Sequence, residues 1–300
     1  MPKEQKQLKE EKKEEKAQPA SEEVQEEVES VAVVVPEEAP DIITPIAEEE
    51  VPVEAKFSLA VEQWRPKTEI GKAVKSGEVT SIDEVLDSGK KILEAEIVDV
   101  LFPNLESDLL MIGQSKGKFV GGQRRVFKQT QKKTKEGNKP KFATYAVVGN
   151  RDGIIGIGYG KSKETVPARE KALRNARLHI IKIRRGCGSW QCGCKQPHSI
   201  PFTVYGKCGS VEIWLMPAPK GKGLIVEKEC QKILALAGIK DAWSKTKGKT
   251  VSKINLVNAC FAALQELMRT KIQSQHNEAL GVVEGSIGEI AHGNAEEESK

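Results

Sequence analysis

Ile82, Val85 and Leu86 recur at helical spacing behind Ser81-Ile-Asp-Glu84, a capping-box pattern that predicts a helix start. A second helical patch runs from Ile92 to Leu101 and ends before Pro103. From Asp108 the period changes. Leu109-Leu-Met-Ile112 is a short apolar run. Thr144-Tyr-Ala-Val-Val148 is rich in strand formers and stops at Gly149-Asn150. Gly153 to Gly160 is an apolar run punctuated by glycine. These predict three strands. A helix capped by Thr165 follows, with Pro167 tolerated in its first turn. Its predicted buried stripe is Leu173, Ala176, Ile180 and Ile183, with Lys171, Arg174 and Arg177 on another face. Residues 108–185 therefore predict β-β-β-α. Further on, Ile200 to Tyr205 and Val211 to Met216 predict a hairpin about Gly206-Lys-Cys-Gly209. A helix is predicted over 226–237 and a strand over Ile239 to Trp243. Residues 251–270 predict an amphipathic helix with Ile254, Val257, Phe261, Leu264 and Leu267 on one stripe. The order predicts an α+β protein of two units.

The chain ends carry no such pattern. Residues 1–55 are Glu, Lys, Ala, Val and Pro without aromatics, a composition that cannot bury a core and predicts a disordered tail. Residues 276–300 predict a second acidic tail. Charge sharpens this division. Residues 1–55 hold 6 Lys/Arg against 17 Asp/Glu, and residues 276–300 hold 1 against 6. The middle keeps 40 against 20, so a formal charge of +4 conceals a strongly basic body. A basic body between acidic tails points to a polyanion such as RNA. The predicted organisation is an acidic tail (1–55), a helical extension (56–107), a first domain (108–186), a Cys/Gly-rich linker (187–198), a second domain (199–275) and an acidic tail (276–300).

No secretory signal is visible, the early apolar run being only Val31 to Val35. No window approaches the ~20 apolar residues of a membrane span. With no export signal, the six cysteines predict reduced thiols or a metal site rather than a disulfide framework.

The densest basic segment is Lys116 to Lys141, with ten Lys/Arg and one acid, Glu136; Phe119, Phe127 and Phe142 lie within or beside it. Positive charge on a loop neutralises phosphates, and aromatic or Arg planes stack on unpaired bases. Candidate RNA-binding residues here are Lys116, Lys118, Arg124, Arg125, Lys128, Lys132 and Lys133. Lys161 and Lys163, then Arg174, Arg177, Arg184 and Arg185, form a second set. Lys220 and Lys222, then Lys245, Lys247 and Lys249, form a third.

Two glycine-rich stretches resemble nucleotide loops and fail on spacing. Gly156-Ile-Gly158-Tyr-Gly160 places its third glycine one residue early for G-x-G-x-x-G. Gly248-Lys249-Thr250 would need glycine at the position of Trp243 to complete a P-loop. Pro217-Ala-Pro-Lys-Gly-Lys-Gly223 precedes a helix and could hold a phosphate, whether from RNA or from a nucleotide. No Ser/His/Asp or paired-carboxylate constellation is visible, and no small-molecule substrate is implied.

The segment GCGSWQCGCKQPH, residues 186–198, has the spacing C-x4-C-x-C-x3-H. Cys187, Cys192, Cys194 and His198 form a candidate Cys₃His set for structural Zn, with glycines that let a short loop wrap an ion. The C-x-C step is tighter than the usual C-x2-C. A metal-free glycine-rich linker and a redox site are the other readings. If 200–205 is a strand, Cys208 lies on the order of 20–30 Å away at ~3.3 Å per residue, too far to be a ligand.

VVGNRDGIIGIGYGKSKE followed by a basic helix resembles the universal small-subunit ribosomal protein family S-five, as do PFTVYGKCGSVEIWLMPAPKGKGLIV and AGIKDAWSKTKGKT. Trp64-Arg-Pro-Lys-Thr68, Gly71 and the Ile82-Asp-Glu-Val segment resemble the extension of archaeal and eukaryotic members, whose eukaryotic counterpart is called S-two. GCGSWQCGC looks archaeal. Eukaryotic members resemble this chain in keeping a Pro-His step without the cysteines, which counts against zinc and leaves His198 a packing or RNA-contact role as the alternative. The resemblance covers about residues 60–272. It implies a double-stranded-RNA-binding-like β-β-β-α domain followed by a βαβ-type S-five second domain. It implies a cytoplasmic, ribosome-bound protein that binds small-subunit rRNA where head, body and central pseudoknot meet. Implied neighbours are the S-four and S-eight proteins and the mRNA near its entrance, with a part in decoding accuracy. The basic loop, Gly113 to Lys141 by position, is longer than the usual form by Gln129 to Lys139. A free RNA chaperone or rRNA-processing factor, and a kinase-like enzyme using Lys220 to Gly223, are the alternative functions.

Overall fold

The computed structural model of the chain describes residues 64–102, 104–114 and 124–285. Lys116, Lys118 and both chain ends, to residue 63 and from residue 286, lie outside the described residues.

Three short helices come first: α1 (Glu69–Ser76), α2 (Ile82–Asp87) and α3 (Glu96–Leu101). The hydroxyl of Thr68 caps α1 by accepting the Gly71 N–H at 3.1 Å. Ser81 precedes α2 as the capping-box pattern predicts, yet its side chain makes no cap hydrogen bond. The Glu94 carboxylate draws the entering chain together, accepting from the Trp64 indole and from the Lys67 and Thr68 amides. Val74, Ile82, Val85, Ile97 and Val98 then form a small core with Ile154 and Ile180.

The first sheet is antiparallel and built on one long strand, β3 (Gly137–Gly149). Its inner half pairs with β1 (Glu106–Leu110) and its outer half with β2 (Lys128–Thr134). The other edge of β3 pairs with β4 (Ile154–Ser162), which pairs with β5 (Ile180–Lys182). Helix α4 (Thr165–Leu178) lies across this sheet. The predicted loop from Gly113 to Lys141 is corrected here: residues 128–141 belong to a hairpin that extends β3 outward.

The predicted stripe of α4 is also corrected. Its fully buried residues are Ala168, Ala172 and Ala176; Ile180 sits in β5 and Ile183 follows it. The reason is the facing strand. Gly156, Gly158 and Gly160 leave their side of β4 bare, and the helix backbone settles onto it. A Cβ built on Gly158 would lie 2.1 Å from the Ala172 carbonyl oxygen and 2.2 Å from the Ala176 nitrogen. Only alanine fits between backbones so close.

Beyond β6 (Arg184–Arg185) comes the second sheet, in the order β7-β8-β10-β9. Strands β7 (Val204–Cys208) and β8 (Val211–Pro217) form a hairpin. The chain turns at Gly209-Ser210, so the predicted turn at 206–209 falls too early, and residues 200–203 are not strand. Strand β9 (Leu224–Ile225), helix α5 (Lys228–Leu236) and strand β10 (Ala242–Lys247) form a βαβ unit with β9 and β10 parallel. Helix α6 (Lys253–Arg269) meets β7 by the same device as α4: a Cβ on Gly206 would lie 2.1 Å from the Ala259 carbonyl oxygen. Tyr145, Val147, Ile155 and Ile157 of the first sheet share one core with Ile213, Leu215, Ile233 and Leu264 of the second part. Helix α7 (Ser274–Leu280) and strand β11 (Val283–Glu284) follow, and β11 pairs with β6. Residues 276–284, whose charge predicts the start of an acidic tail, are therefore part of the fold.

Candidate metal centre and nucleic-acid interface

A pair of backbone hydrogen bonds between Gly186 and Ser199 closes the neck of the cysteine segment. This sets Cys187 and His198, eleven residues apart in sequence, side by side at the base of the loop. Above them Cys192 N–H donates to Ser189 C=O, and Lys195 turns the chain with φ 52°. Cys187, Cys192, Cys194 and His198 could hold a metal ion: one nitrogen or sulfur of each lies within 4.8 Å of the others. Cys192 Sγ is 3.8 Å from His198 Nε2. Zinc with bonds of ~2.1–2.3 Å demands ligand–ligand edges of about 3.5–3.8 Å in a tetrahedron. The set therefore needs only a small contraction to close on such an ion.

Asp241 orients the histidine. Its Oδ2 is 2.8 Å from His198 Nδ1, and both side chains are buried, at 5% and 6% exposure. A carboxylate behind a ligating imidazole fixes the tautomer that leaves Nε2 free for metal. The sulfurs differ. The Lys220 and Cys194 backbone N–H groups pull the Cys192 thiol down to about 6. Burial and the neighbouring thiols push Cys187 up to about 11. Cys208 stands outside the cluster and packs against the main core. Asp241 is not legible as a partner in the sequence, because 43 residues separate it from His198.

The predicted basic residues divide into exposed and committed groups. Arg125, Lys132 and Lys133 are exposed, and so are Lys161, Lys163 and Arg174 beside α4. Arg124 and Lys128 are half-buried. Lys220, Lys222, Lys245, Lys247 and Lys249 are exposed on the second part. Arg177 is half-exposed and binds Asp99 at 3.0 Å. Arg184 and Arg185 are corrected, since both work inside the fold. Arg184 binds Glu284 and donates to the Leu267 and Thr270 carbonyls at the end of α6. Arg185 is buried, reaching Asp152 at 2.5 Å and the Gly285 carbonyl at 3.3 Å. Breaking a buried pair by removing one partner costs about 3–5 kcal/mol. Asp152 keeps 29% side-chain exposure, so Arg185→Ala is expected near the lower end, about 3 kcal/mol in urea unfolding. A loss below about 1 kcal/mol would contradict this role.

The outer face of the second sheet carries an aromatic pair. Along β7 and β8, Val204, Gly206, Val211, Ile213 and Leu215 face inward, which turns Tyr205 and Trp214 outward. Their rings lie 5.1 Å apart, with Lys247 Nζ 5.2 Å from the Trp214 ring centre. Period-two alternation was the signal for it. The glycine runs that resemble nucleotide loops have structural work instead. Gly156 to Gly160 receive α4, and Gly248, at φ 85°, passes against the Ser210 carbonyl. No helix among the described residues is long and apolar enough to cross a membrane.

A family model described as the N-terminal domain of ribosomal protein S5 matches residues 125–184, and one for its C-terminal domain matches residues 206–277. Small ribosomal subunit protein uS5 of Nanoarchaeum equitans is 48% identical over 227 residues, 76% of this chain and 97% of its own length. The uS5 protein of Methanocaldococcus jannaschii is 46% identical over 227 residues, covering 76% and 98%. That of Saccharolobus solfataricus is 46% identical over 216 residues, covering 72% and 92%. The chain belongs to the ribosomal protein uS5 family. The two uS5 matches leave a gap that contains the whole cysteine loop, residues 187–198, and they exclude α1–α3.

Proposed function

We propose that this uS5 chain is a non-catalytic, structural constituent of the small ribosomal subunit in the cytoplasm, and that it binds rRNA. Family membership carries this reading, and the exposed lysines of the β2–β3 hairpin, β4, the 217–223 loop and β10 supply the charge it needs. In this role the first sheet with α4 acts as the double-stranded-RNA-binding-like domain, reading shape and 2′-hydroxyls, and the βαβ-containing second part acts as the S-five second domain. The binding place is the head–body junction, beside S-four and S-eight proteins and the mRNA entrance, where the chain contributes to accuracy. The hairpin of 128–141 reaches along the RNA, and phosphate contacts position it. Zinc is the ion proposed for Cys187, Cys192, Cys194 and His198; the donor set and the Asp241 orientation of His198 support it.

Each phosphate neutralised by a lysine adds roughly one unit to the slope of log affinity against log salt. The double variant Lys132→Ala, Lys133→Ala should weaken binding to small-subunit rRNA and reduce that slope by about two. An unchanged slope removes the hairpin from the RNA interface. Sucrose-gradient fractionation tests the ribosomal role itself. The chain should travel with small subunits in moderate salt; a free chaperone would remain at the top.

A further inference from the structure

The cysteine loop also reaches the basic segment Pro217–Gly223. Gly221 and Gly223 adopt φ 85° and 76°, and a Cβ built on either would meet nothing within 4 Å. Packing therefore restrains this stretch little, and hydrogen bonds set its shape. Gly223 N–H donates to Asp241 Oδ1 at 2.7 Å. Ala218 N–H donates to Ser199 Oγ at 3.2 Å, and Ser199 Oγ–H donates to the Asp241 carbonyl at 2.6 Å. The Lys220 backbone N–H is directed at the Cys192 sulfur, and Lys220 Nζ donates to Gln196 Oε1 at 2.8 Å. Each of these fasteners begins at a residue of the cysteine loop, at its neck, or at the carboxylate behind His198.

We propose that Asp241 is a positioning residue that makes the shape of the 219–223 loop, and its hold on RNA phosphates, depend on zinc at the Cys187, Cys192, Cys194, His198 set. The inference rests on the zinc reading above. A neutral imidazole carries one N–H. With Nε2 committed to the ion, His198 holds its proton on Nδ1 and donates it to Asp241 Oδ2. That bond fixes the carboxylate plane, and the plane aims Oδ1 at Gly223 N–H. Without the ion Nε2 has no anchor, the imidazole is held only through its bond to Asp241 Oδ2, and ring and carboxylate turn together. Oδ1 then loses its fixed aim at Gly223 N–H. Lys220 and Lys222, on either side of Gly221, lose their fixed spacing with it.

The test is hydrogen–deuterium exchange of the full chain, zinc-loaded and chelator-treated, with zinc per chain measured in parallel. Zinc removal should speed exchange of the 220–224 amides by about tenfold, the scale of one hydrogen bond to a charged acceptor. RNA affinity should fall with it, and a Lys220→Ala, Lys222→Ala variant should be insensitive to the chelator. Asp241→Asn should still bind zinc yet show no zinc-dependent protection of the loop. The wild-type comparison stands even if Asp241→Asn fails to fold. Zinc bound with loop exchange unchanged overturns the inference and leaves the zinc reading intact. Asp241→Asn keeping its zinc-dependent protection overturns the role of Asp241. A chain that binds no zinc overturns both.

Discussion

Gly158→Ala should destabilise the chain by more than about 4 kcal/mol, placing it among the exceptional single substitutions. In an unconstrained strand the same change would be neutral or slightly stabilising, because alanine restricts the unfolded chain. Here the added Cβ would sit 2.1 Å from one helix backbone atom and 2.2 Å from another. Neither atom belongs to a side chain that can rotate away, so α4 must lift by more than an ångström. That lift opens the contacts of Ala168, Ala172 and Ala176 together, since the helix moves as a body. At about 2–4 °C per kcal/mol for a chain of this size, Gly158→Ala should melt at least about 8 °C below the wild type. A difference of a degree or two would mean that β4 and α4 do not approach as closely as described.

The glycines also explain what the sequence concealed. The helix after β4 was visible as a helix, but a search for large apolar residues selects Leu173, Ile180 and Ile183 and keeps only Ala176 of the alanine face. The buried face follows from the partner strand, and periodicity within the helix carries no information about that partner. The β2–β3 hairpin was hidden for a different reason. Lys128 to Lys141 shows no alternation of apolar and polar residues, because neither face of that extension is buried. Its strands exist through the continuous pairing of β2 with β3, and only the Lys135-Glu136 turn, followed by Gly137 at φ 114°, marks them. Short-range signals fared better. The strands at 144–148 and 153–160, the long helix near 251–270 and the four residues of the Cys/His cluster were legible, since each depends on residues close in sequence. Asp241 was not, because β7, β8, β9 and α5 lie between it and His198 in the sequence and only the folded second part brings the two together.

Stripping the proposed zinc from the full chain should lower its melting temperature by about 8–16 °C. At free zinc about 1,000-fold above the dissociation constant, linkage adds about 4 kcal/mol to folding, and each kcal/mol is worth about 2–4 °C here. The double variant Cys192→Ser, Cys194→Ser should melt where the stripped wild type melts, and zinc should no longer shift it. The loop makes so large an effect plausible because it fastens several separate stretches. Cys187 N–H donates to the Leu280 carbonyl at the end of α7, while Asp241 and Lys220 tie the cluster to the second sheet. Acid should act in the same direction as chelation. Cys187, pushed up to about 11, must surrender its proton to bind metal at any neutral pH. Cys192 is a thiolate above about 6 and takes up a proton as the pH falls through that value. Zinc affinity should therefore fall more steeply with pH once Cys192 begins to take up its proton. A melting temperature indifferent to zinc, in a variant and wild type that behave alike, would make the segment a glycine-rich joint whose cysteines bear no load.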